Sequence, residues 1–181
     1  MEGKSQNLKL KLWELDRVSP EEFSEQKKFP FVVILDNIRS LNNIGSFFRT
    51  CDAFNIEHLY LCGITAQPPN RDINKTAIGA TDSVSWSHEE STSELTARLK
   101  KEGYTICSIE QTEETKLLQD IPSLNEDKFA LVFGNEVDGV DQNVIDSSDY
   151  VVEIPQFGTK HSLNVSVCAG VVLWEFTKRF I

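Results

Sequence analysis

The residues best suited to chemistry lie in a polar stretch near the end of the chain, from Ile154 to Ser166. It follows the apolar run Tyr150–Ile154, which predicts a buried strand. Pro155 lacks a backbone donor and ends that strand, and Ser162 and Asn164 are side chains that favour a helix start. A strand, a polar turn and a helix N-terminus together form a frequent ligand site, although an ordinary connecting loop would have the same composition.

Three further polar stretches follow apolar runs, one of them Ile109–Thr112. Gly134–Val140 comes after the run Phe129–Phe133 and holds the carboxylate of Glu136 between two glycines. Asn37–Ser46 comes after the run Phe31–Leu35. A tight turn that caps the next helix would explain the stretch Gly134–Val140 alone. Ligands of parallel sheets bind at the carboxyl ends of the strands, so loops that converge there favour a site.

The elements between these stretches predict an α/β fold. Apolar runs alternate with segments of helical spacing, a pattern typical of a mostly parallel sheet with helices on both faces. Further strands are predicted at Ile56–Cys62 and Tyr104–Ile109. Helices are predicted over residues 19–23 at least, 43–54, 72–80, 91–101 and 167–176, the last of them buried. Residues 110–122 are predicted as a loop with some helix.

Length and composition fit one domain with a short extension. The chain has 181 residues, of which 40% are hydrophobic and 25% charged. We therefore predict an N-terminal extension over residues 1–29 and one domain over residues 30–181. The apolar runs are shorter than the ~20 residues that cross a bilayer, and the first residues do not resemble a signal peptide, so a cytoplasmic location is expected.

The charge distribution bears on the kind of partner. The net charge is −10, and it is concentrated in residues 89–181, which hold 8 Lys and Arg against 17 Asp and Glu. Residues 1–88 are nearly neutral, with 10 against 11. Because phosphate binding depends on Lys and Arg, composition alone argues against a nucleic-acid partner. Such a partner would need a local basic patch, or patches joined across a dimer.

Cysteine and histidine give no sign of a metal site. The three histidines are scattered, and no two cysteines form a Cys-x-x-Cys pair. Each cysteine lies in an apolar run, which is typical of small, buried, reduced side chains. We therefore predict no metal and no disulfide. The cysteines are Cys51, Cys62, Cys107 and Cys168.

Taken together, three stretches resemble the motifs of the SpoU (TrmH-like) family within the SPOUT class of RNA 2′-O-ribose methyltransferases. Residues 42–50 resemble the first motif, residues 133–139 the second and residues 154–166 the third, in the same order and spacing. The resemblance covers about residues 31–181. It implies an α/β fold with a C-terminal trefoil knot, a homodimer and S-adenosylmethionine as methyl donor. The implied acceptor is a ribose 2′-hydroxyl of tRNA or rRNA.

The resemblance also implies roles for individual residues. Asn43 and Arg49 would form a catalytic pair, and Arg49 would activate the hydroxyl. Because a guanidinium stays protonated, binding the adjacent phosphate and stabilising developing negative charge is an alternative role for Arg49. Glu136 would accept the proton or shape the pocket. The cofactor would be held by backbone groups of Gly134, Ile154 and Leu163 and by a pocket lined with Asn135, Glu136, Ser162 and Asn164.

RNA contacts and competing functions complete the sequence-based expectations. Arg39, Arg71 and Lys75 are candidate RNA-binding residues, although larger relatives carry a separate RNA-binding domain where this chain has only a short arm. A dinucleotide-dependent oxidoreductase is disfavoured because no Gly-x-Gly-x-x-Gly cluster follows the first strand. A non-catalytic RNA-binding relative is the main alternative, and methyl transfer to a base is a further one. The presence of all the polar motif residues argues against the non-catalytic alternative.

Overall fold

A computed structural model describes residues 7–15, 17–123 and 126–181. Within this part of the chain, seven strands form one sheet in the order β3-β2-β1-β6-β4-β7-β5. Every strand pair in the sheet is parallel. The strands are β1 (Phe29–Asp36), β2 (Ile56–Cys62), β3 (Trp86–Glu89), β4 (Thr105–Ile109), β5 (Lys116–Leu117), β6 (Phe129–Gly134) and β7 (Tyr150–Glu153).

Helices cover both faces of this sheet. They are α1 (Pro20–Glu25), α2 (Leu41–Ala53), α3 (Arg71–Ala77), α4 (Ala80–Ser83), α5 (Thr92–Lys101), α6 (Gln142–Ser147) and α7 (Val165–Thr177), with 3₁₀ turns at Leu12–Glu14 and Leu118–Ser123. The predicted α/β class and mostly parallel sheet are therefore confirmed. The trefoil knot stays a prediction.

The central strand β1 is buried on both faces. Phe31, Val33 and Leu35 belong to one apolar cluster, to which α2 and α7 contribute. Val32 and Ile34 belong to a second cluster, to which α5 and α6 contribute. Side chains alternate between the faces of a strand, so a continuous apolar run is what a strand covered on both sides requires.

Small polar side chains begin most of the helices, although α2 is capped by Ser40 and so begins two residues before its predicted start, and α4 follows Gly79 without a side-chain cap. Ser19 caps α1 in a reciprocal arrangement: its hydroxyl accepts from the Glu22 N–H at 3.2 Å, and the Glu22 carboxylate accepts from the Ser19 N–H at 2.8 Å. Ser91 caps α5 by accepting from the Glu94 N–H. These contacts satisfy backbone donors that have no partner inside a helix. Helix starts are therefore readable locally.

Two strands, one helix end and the short helix α4, which was not predicted, differ from the sequence-based prediction. Strand β3 is polar and only partly buried, and it pairs with β2 alone among the described strands, so it lacks the apolar signal of a central strand. Strand β5 has two exposed residues and lies in the segment predicted as a loop. The predicted helix over residues 72–80 ends at Ala77, because Ile78 and Gly79 take positive φ angles of 50° and 86°.

Helix α7 is buried on one side only, whereas the sequence predicted a buried helix. Leu173 and Phe176 are fully buried, but Val167, Val171 and Trp174 are 55%, 42% and 49% exposed. These exposed residues recur at helical spacing and form one apolar stripe. The sequence is apolar around the whole helix, and it does not say which side the rest of the chain covers.

The described part of the N-terminal extension carries exposed apolar side chains. Leu8, Leu10 and Trp13 are 75%, 60% and 76% exposed, and α1 approaches α4. None of the described helices is both long enough and apolar enough to cross a membrane.

A candidate active site at the carboxyl ends of the strands

A cleft of about 650 Å³ opens at the carboxyl ends of β4, β6 and β7. Its walls come from the ends of these strands, the turn over residues 134–140, the loop over residues 154–164 and the first turns of α6 and α7. Ile109, Phe133 and Val152 give it apolar surface. Concave sites of this size and mixed character are typical of small-molecule binding.

All of the residues predicted to bind a cofactor line this cleft. Some belong to the β6–α6 turn and the others to the β7–α7 loop, two separate stretches of sequence that border one space. Their function as cofactor ligands stays a prediction. They are Gly134, Asn135, Glu136, Ile154, Ser162, Leu163 and Asn164.

A chain of hydrogen bonds joins one residue from each of the three motifs. The side-chain amide of Asn43 donates to Glu136 Oε1 at 2.8 Å. The side-chain amide of Asn164 donates to Asn43 Oδ1 at 3.2 Å. Asn164 also caps α7, where its Oδ1 accepts from the Ser166 N–H at 2.9 Å. Asn43 is the central member of this chain and is 8% exposed.

Glu136 is held as an anion by the start of α2. Its carboxylate accepts from the backbone N–H groups of Arg39 and Ser40, both at 3.3 Å, as well as from Asn43. Partial burial by itself would raise the pKa of Glu136, but these hydrogen bonds outweigh it and leave the pKa below its usual value. A carboxylate with a lowered pKa is a weak base. The hydrogen bonding therefore favours a positioning role for Glu136 over proton acceptance.

The turn over residues 134–140 is fixed by its own hydrogen bonds and by close backbone packing. Asn135 and Gly139 exchange backbone hydrogen bonds at 3.1 Å, and Asn135 Oδ1 accepts from the backbone of Val137 and Asp138 at 2.9 Å. Gly134 has no room for a side chain, since a Cβ would lie 2.0 Å from the carbonyl carbon of Gly139. The predicted sharp turn at these glycines is therefore also a close approach of two backbone segments.

Two carboxylates that sequence analysis did not single out support these loops. Glu110, at the end of β4, accepts from the Val140 N–H at 3.2 Å and borders the cleft. Asp36 is 1% exposed at the end of β1, where it accepts from Thr92 Oγ1 at 2.6 Å and from the Asp141 N–H at 2.9 Å. Sequence analysis could have found both from their position directly after predicted strands.

The predicted cationic residues lie outside the cleft. Arg39 is exposed and forms an ion pair with Asp138 at 3.4 Å. Arg49 is exposed on α2, and Arg71 and Lys75 are exposed on α3, which packs against α2. Within the described part of the chain, none of these last three side chains has a hydrogen bond or an ion pair. The structure thus brings together the polar motif residues and leaves the catalytic candidate Arg49 apart from them.

The thiols of this chain are not poised to react. Cys168 lines the cleft, but burial, with a smaller contribution from Glu110, raises its pKa to about 12. Burial likewise raises the pKa of Cys62 to about 12 and raises the pKa values of Cys51 and Cys107. A thiol in this state is a poor nucleophile at neutral pH. Among the described residues, no group of three or more His, Cys, Asp or Glu is placed to hold a metal ion.

Comparison with known proteins agrees with this geometry. The SpoU rRNA Methylase family matches residues 30–174, and the chain belongs to that family. It is 33% identical over 147 residues to the 23S rRNA (guanosine-2′-O-)-methyltransferase RlmB of Neisseria meningitidis, which covers 81% of this chain and 57% of that protein. It is 30% identical over 158 residues to the tRNA (guanosine(18)-2′-O)-methyltransferase of Aquifex aeolicus, covering 85% of this chain and 72% of the relative.

Solved structures share the fold. The AdoMet-bound rRNA methyltransferase from Sinorhizobium meliloti superimposes with a TM-score of 0.78 at 22% identity, over 91% of this chain and 62% of that one. The chain therefore spans only somewhat more than half the length of the Neisseria and Sinorhizobium proteins.

Proposed function

We propose that this protein is an S-adenosylmethionine-dependent RNA methyltransferase that transfers a methyl group to a ribose 2′-hydroxyl of tRNA or rRNA. The observation that supports it most directly is the hydrogen-bonded chain from Asn164 through Asn43 to Glu136 at the rim of the cleft. These side chains come from three separate motifs, and a simple structural turn does not need them together. Family membership agrees with this function.

The cleft suits the proposed methyl donor. Its volume of about 650 Å³ lies in the range of sites for ligands of this size. Apolar side chains such as Ile109 and Phe133 can cover an adenine ring, while the carboxylates of Glu110 and Glu136 offset the positive charge of a sulfonium and an ammonium group. The bound donor supplies an activated methyl group. The predicted cofactor residues would hold it in one orientation.

The chain's own residues then have to align the acceptor, and the proton of its 2′-hydroxyl passes to solvent water as the methyl group is transferred. We assign Arg49 to bind the phosphate beside the target ribose and to stabilise negative charge that develops on the 2′-oxygen. Because hydrogen bonds keep Glu136 ionised, we assign it to fix the start of α2 through Asn43. Arg39, Arg71 and Lys75 would bind further phosphates. Alignment of reactants can supply ~7–11 kcal/mol of catalysis in favourable cases.

We further propose a homodimer. The exposed stripe of Val167, Val171 and Trp174 on α7 is the kind of surface that a second copy covers. Arg49 lies outside the cleft of its own chain, on α2, which packs against α7. In a dimer, Arg49 of one subunit would complete the cleft of the other.

We also propose residues 30–181 as the catalytic domain with a C-terminal knot, residues 1–29 as an extension, and the cytoplasm as the location.

The experiment is methyl transfer from tritiated donor to total tRNA and rRNA, followed by nucleoside analysis. The wild type should label RNA in an alkali-resistant linkage, because a methylated 2′-oxygen cannot attack the adjacent phosphodiester. Arg49→Ala should lose about 10²-fold or more in rate while calorimetry still detects donor binding. Arg98→Ala, an exposed arginine on α5 that pairs with Glu89, is the matched control and should stay active.

Mixing two inactive variants tests the shared site. Leu163→Trp should fill the cleft, and Arg49→Ala leaves it open. If one subunit's arginine serves the other's cleft, mixed dimers of these variants regain part of the activity. Absence of donor uptake by the wild type, with or without RNA, would overturn the proposed function, whereas an active Arg49→Ala variant would overturn only the role of Arg49.

A further inference from the structure

Phe157 lies near the cleft, and no contact described above gives it a role. Its side chain is 98% exposed, the highest value among the exposed large hydrophobic residues of the described chain. Single exposed apolar residues are ordinary on protein surfaces, so exposure alone has no functional meaning. Whether Phe157 has a function therefore depends on the residues around it.

The loop places Phe157 at the edge of the cleft. Gln156, its neighbour, lines the cleft, and so do Ser162 and Leu163 where the chain returns. Phe157 itself lies outside the lining, on the part of the loop that leaves the cleft and comes back. Residues 155–163 make no hydrogen bond, by backbone or side chain, to any residue that the structure describes. The ring is therefore presented next to the cleft without being packed on the protein.

The same loop carries a positive charge beside the cleft. Lys160 is exposed there, without an ion pair to any other described residue, and residues 155–163 include no Asp or Glu. The opposite turn carries Glu136 and Asp138. In a chain with a net charge of −10, the loop is thus the side of the cleft where a phosphate is least repelled.

We propose that Phe157 stacks on the base of the acceptor nucleotide, that Lys160 lies near its phosphate, and that the acceptor is an unpaired nucleotide. This rests on the proposed function. An aromatic ring stacks on a base only if the face of that base is free, which pairing and stacking inside a helix prevent. A stacked base beside the cleft places its ribose at the cleft mouth, where a 2′-hydroxyl must lie to receive a methyl group.

The test is a double-mutant cycle between protein and RNA. The labelling experiment first identifies the methylated nucleotide with the wild type. A transcript that lacks only the base at that nucleotide, with its 2′-hydroxyl kept, is then compared with the intact transcript. Removing the base should lower kcat/KM of the wild type about 5- to 150-fold and should leave that of Phe157→Ala nearly unchanged. Phe157→Trp should behave like the wild type, and Phe157→Leu like Phe157→Ala.

Calorimetry and sedimentation distinguish base stacking from a role of Phe157 in donor binding or in subunit contact. All Phe157 variants should bind the donor as the wild type does and should keep its oligomeric state. Equal effects of base removal on wild type and Phe157→Ala would overturn the stacking proposal while leaving the proposed function intact. A change of oligomeric state in Phe157→Ala would overturn it as well, by assigning Phe157 to a subunit interface. Failure of the wild type to bind donor or label RNA would overturn both.

Discussion

The turn over residues 134–140 and the loop over residues 155–163 wall the same cleft, but they are held by very different numbers of contacts. In the turn, Asn135 closes the backbone from inside, Glu110 holds it from the neighbouring strand, and Glu136 ties it to the start of α2. The loop has no hydrogen bond to any described residue. One wall is therefore fixed by the protein itself, whereas the described residues supply no hydrogen bond that fixes the other.

This difference fits the two tasks of a methyl-transfer site. A donor must be held in one orientation, which favours a wall with every polar group in place. An RNA acceptor arrives, binds and leaves, which favours a wall with unpaired aromatic and cationic groups. Substitutions in the two walls should therefore lower the free energy of unfolding by different amounts. Three substitutions measure that difference.

The largest effect is expected from Gly134→Ala. A Cβ at Gly134 would lie 2.0 Å from the carbonyl carbon of Gly139, whereas one at Gly158 would meet nothing within 4 Å. We therefore expect Gly134→Ala to lower the free energy of unfolding by about 3 kcal/mol and to abolish donor binding. Gly158→Ala is the matched control and should unfold like the wild type. Urea denaturation and calorimetry measure both, and equal stabilities would contradict the fixed-wall description.

A smaller loss is expected from Asn43→Ala. The variant leaves Glu136 and Asn164 without the buried amide that joins them, which should cost about 1–3 kcal/mol of unfolding free energy. Asn42→Ala, the adjacent residue with an exposed side chain, should cost little by comparison. Urea denaturation of the two variants gives the comparison. If Asn42→Ala is the more destabilising, the hydrogen-bonded chain does not fix the turn.

The smallest effect is a pH dependence at Glu136. Its pKa lies below the usual value of 4.5, so its ionised form stabilises the folded state above that pH, and this contribution is lost as the pH falls through the folded-state pKa. Below pH 4.5, unfolding free energy should fall more steeply for the wild type than for Glu136→Gln. The difference should stay below about 1 kcal/mol because the carboxylate is exposed. Urea denaturation at several pH values measures this difference, and the same pH dependence in Glu136→Gln as in the wild type would contradict the assigned anionic role.

The sequence by itself determined the local features of this protein. Continuous apolar runs define buried parallel strands, and Ser19, Ser91 and Asn164 begin helices because their side chains satisfy backbone donors within three residues. The order and spacing of the polar stretches indicated the family, and all the predicted cofactor residues came from them. Strands β3 and β5 were not predicted because they are short and contain no apolar run. Pairing with a neighbouring strand holds them in the sheet.

Only the tertiary structure decided which residues distant in sequence contact each other. Asn43 and Asn164 are 121 residues apart in sequence and hydrogen-bonded in space, and neither the pairing nor the lowered pKa of Glu136 follows from either stretch alone. It also decided that α7 keeps one apolar side exposed and that Arg49 lies outside the cleft. The physical reason is range: capping and strand formation depend on adjacent residues, whereas burial and long-range hydrogen bonds depend on how distant segments pack.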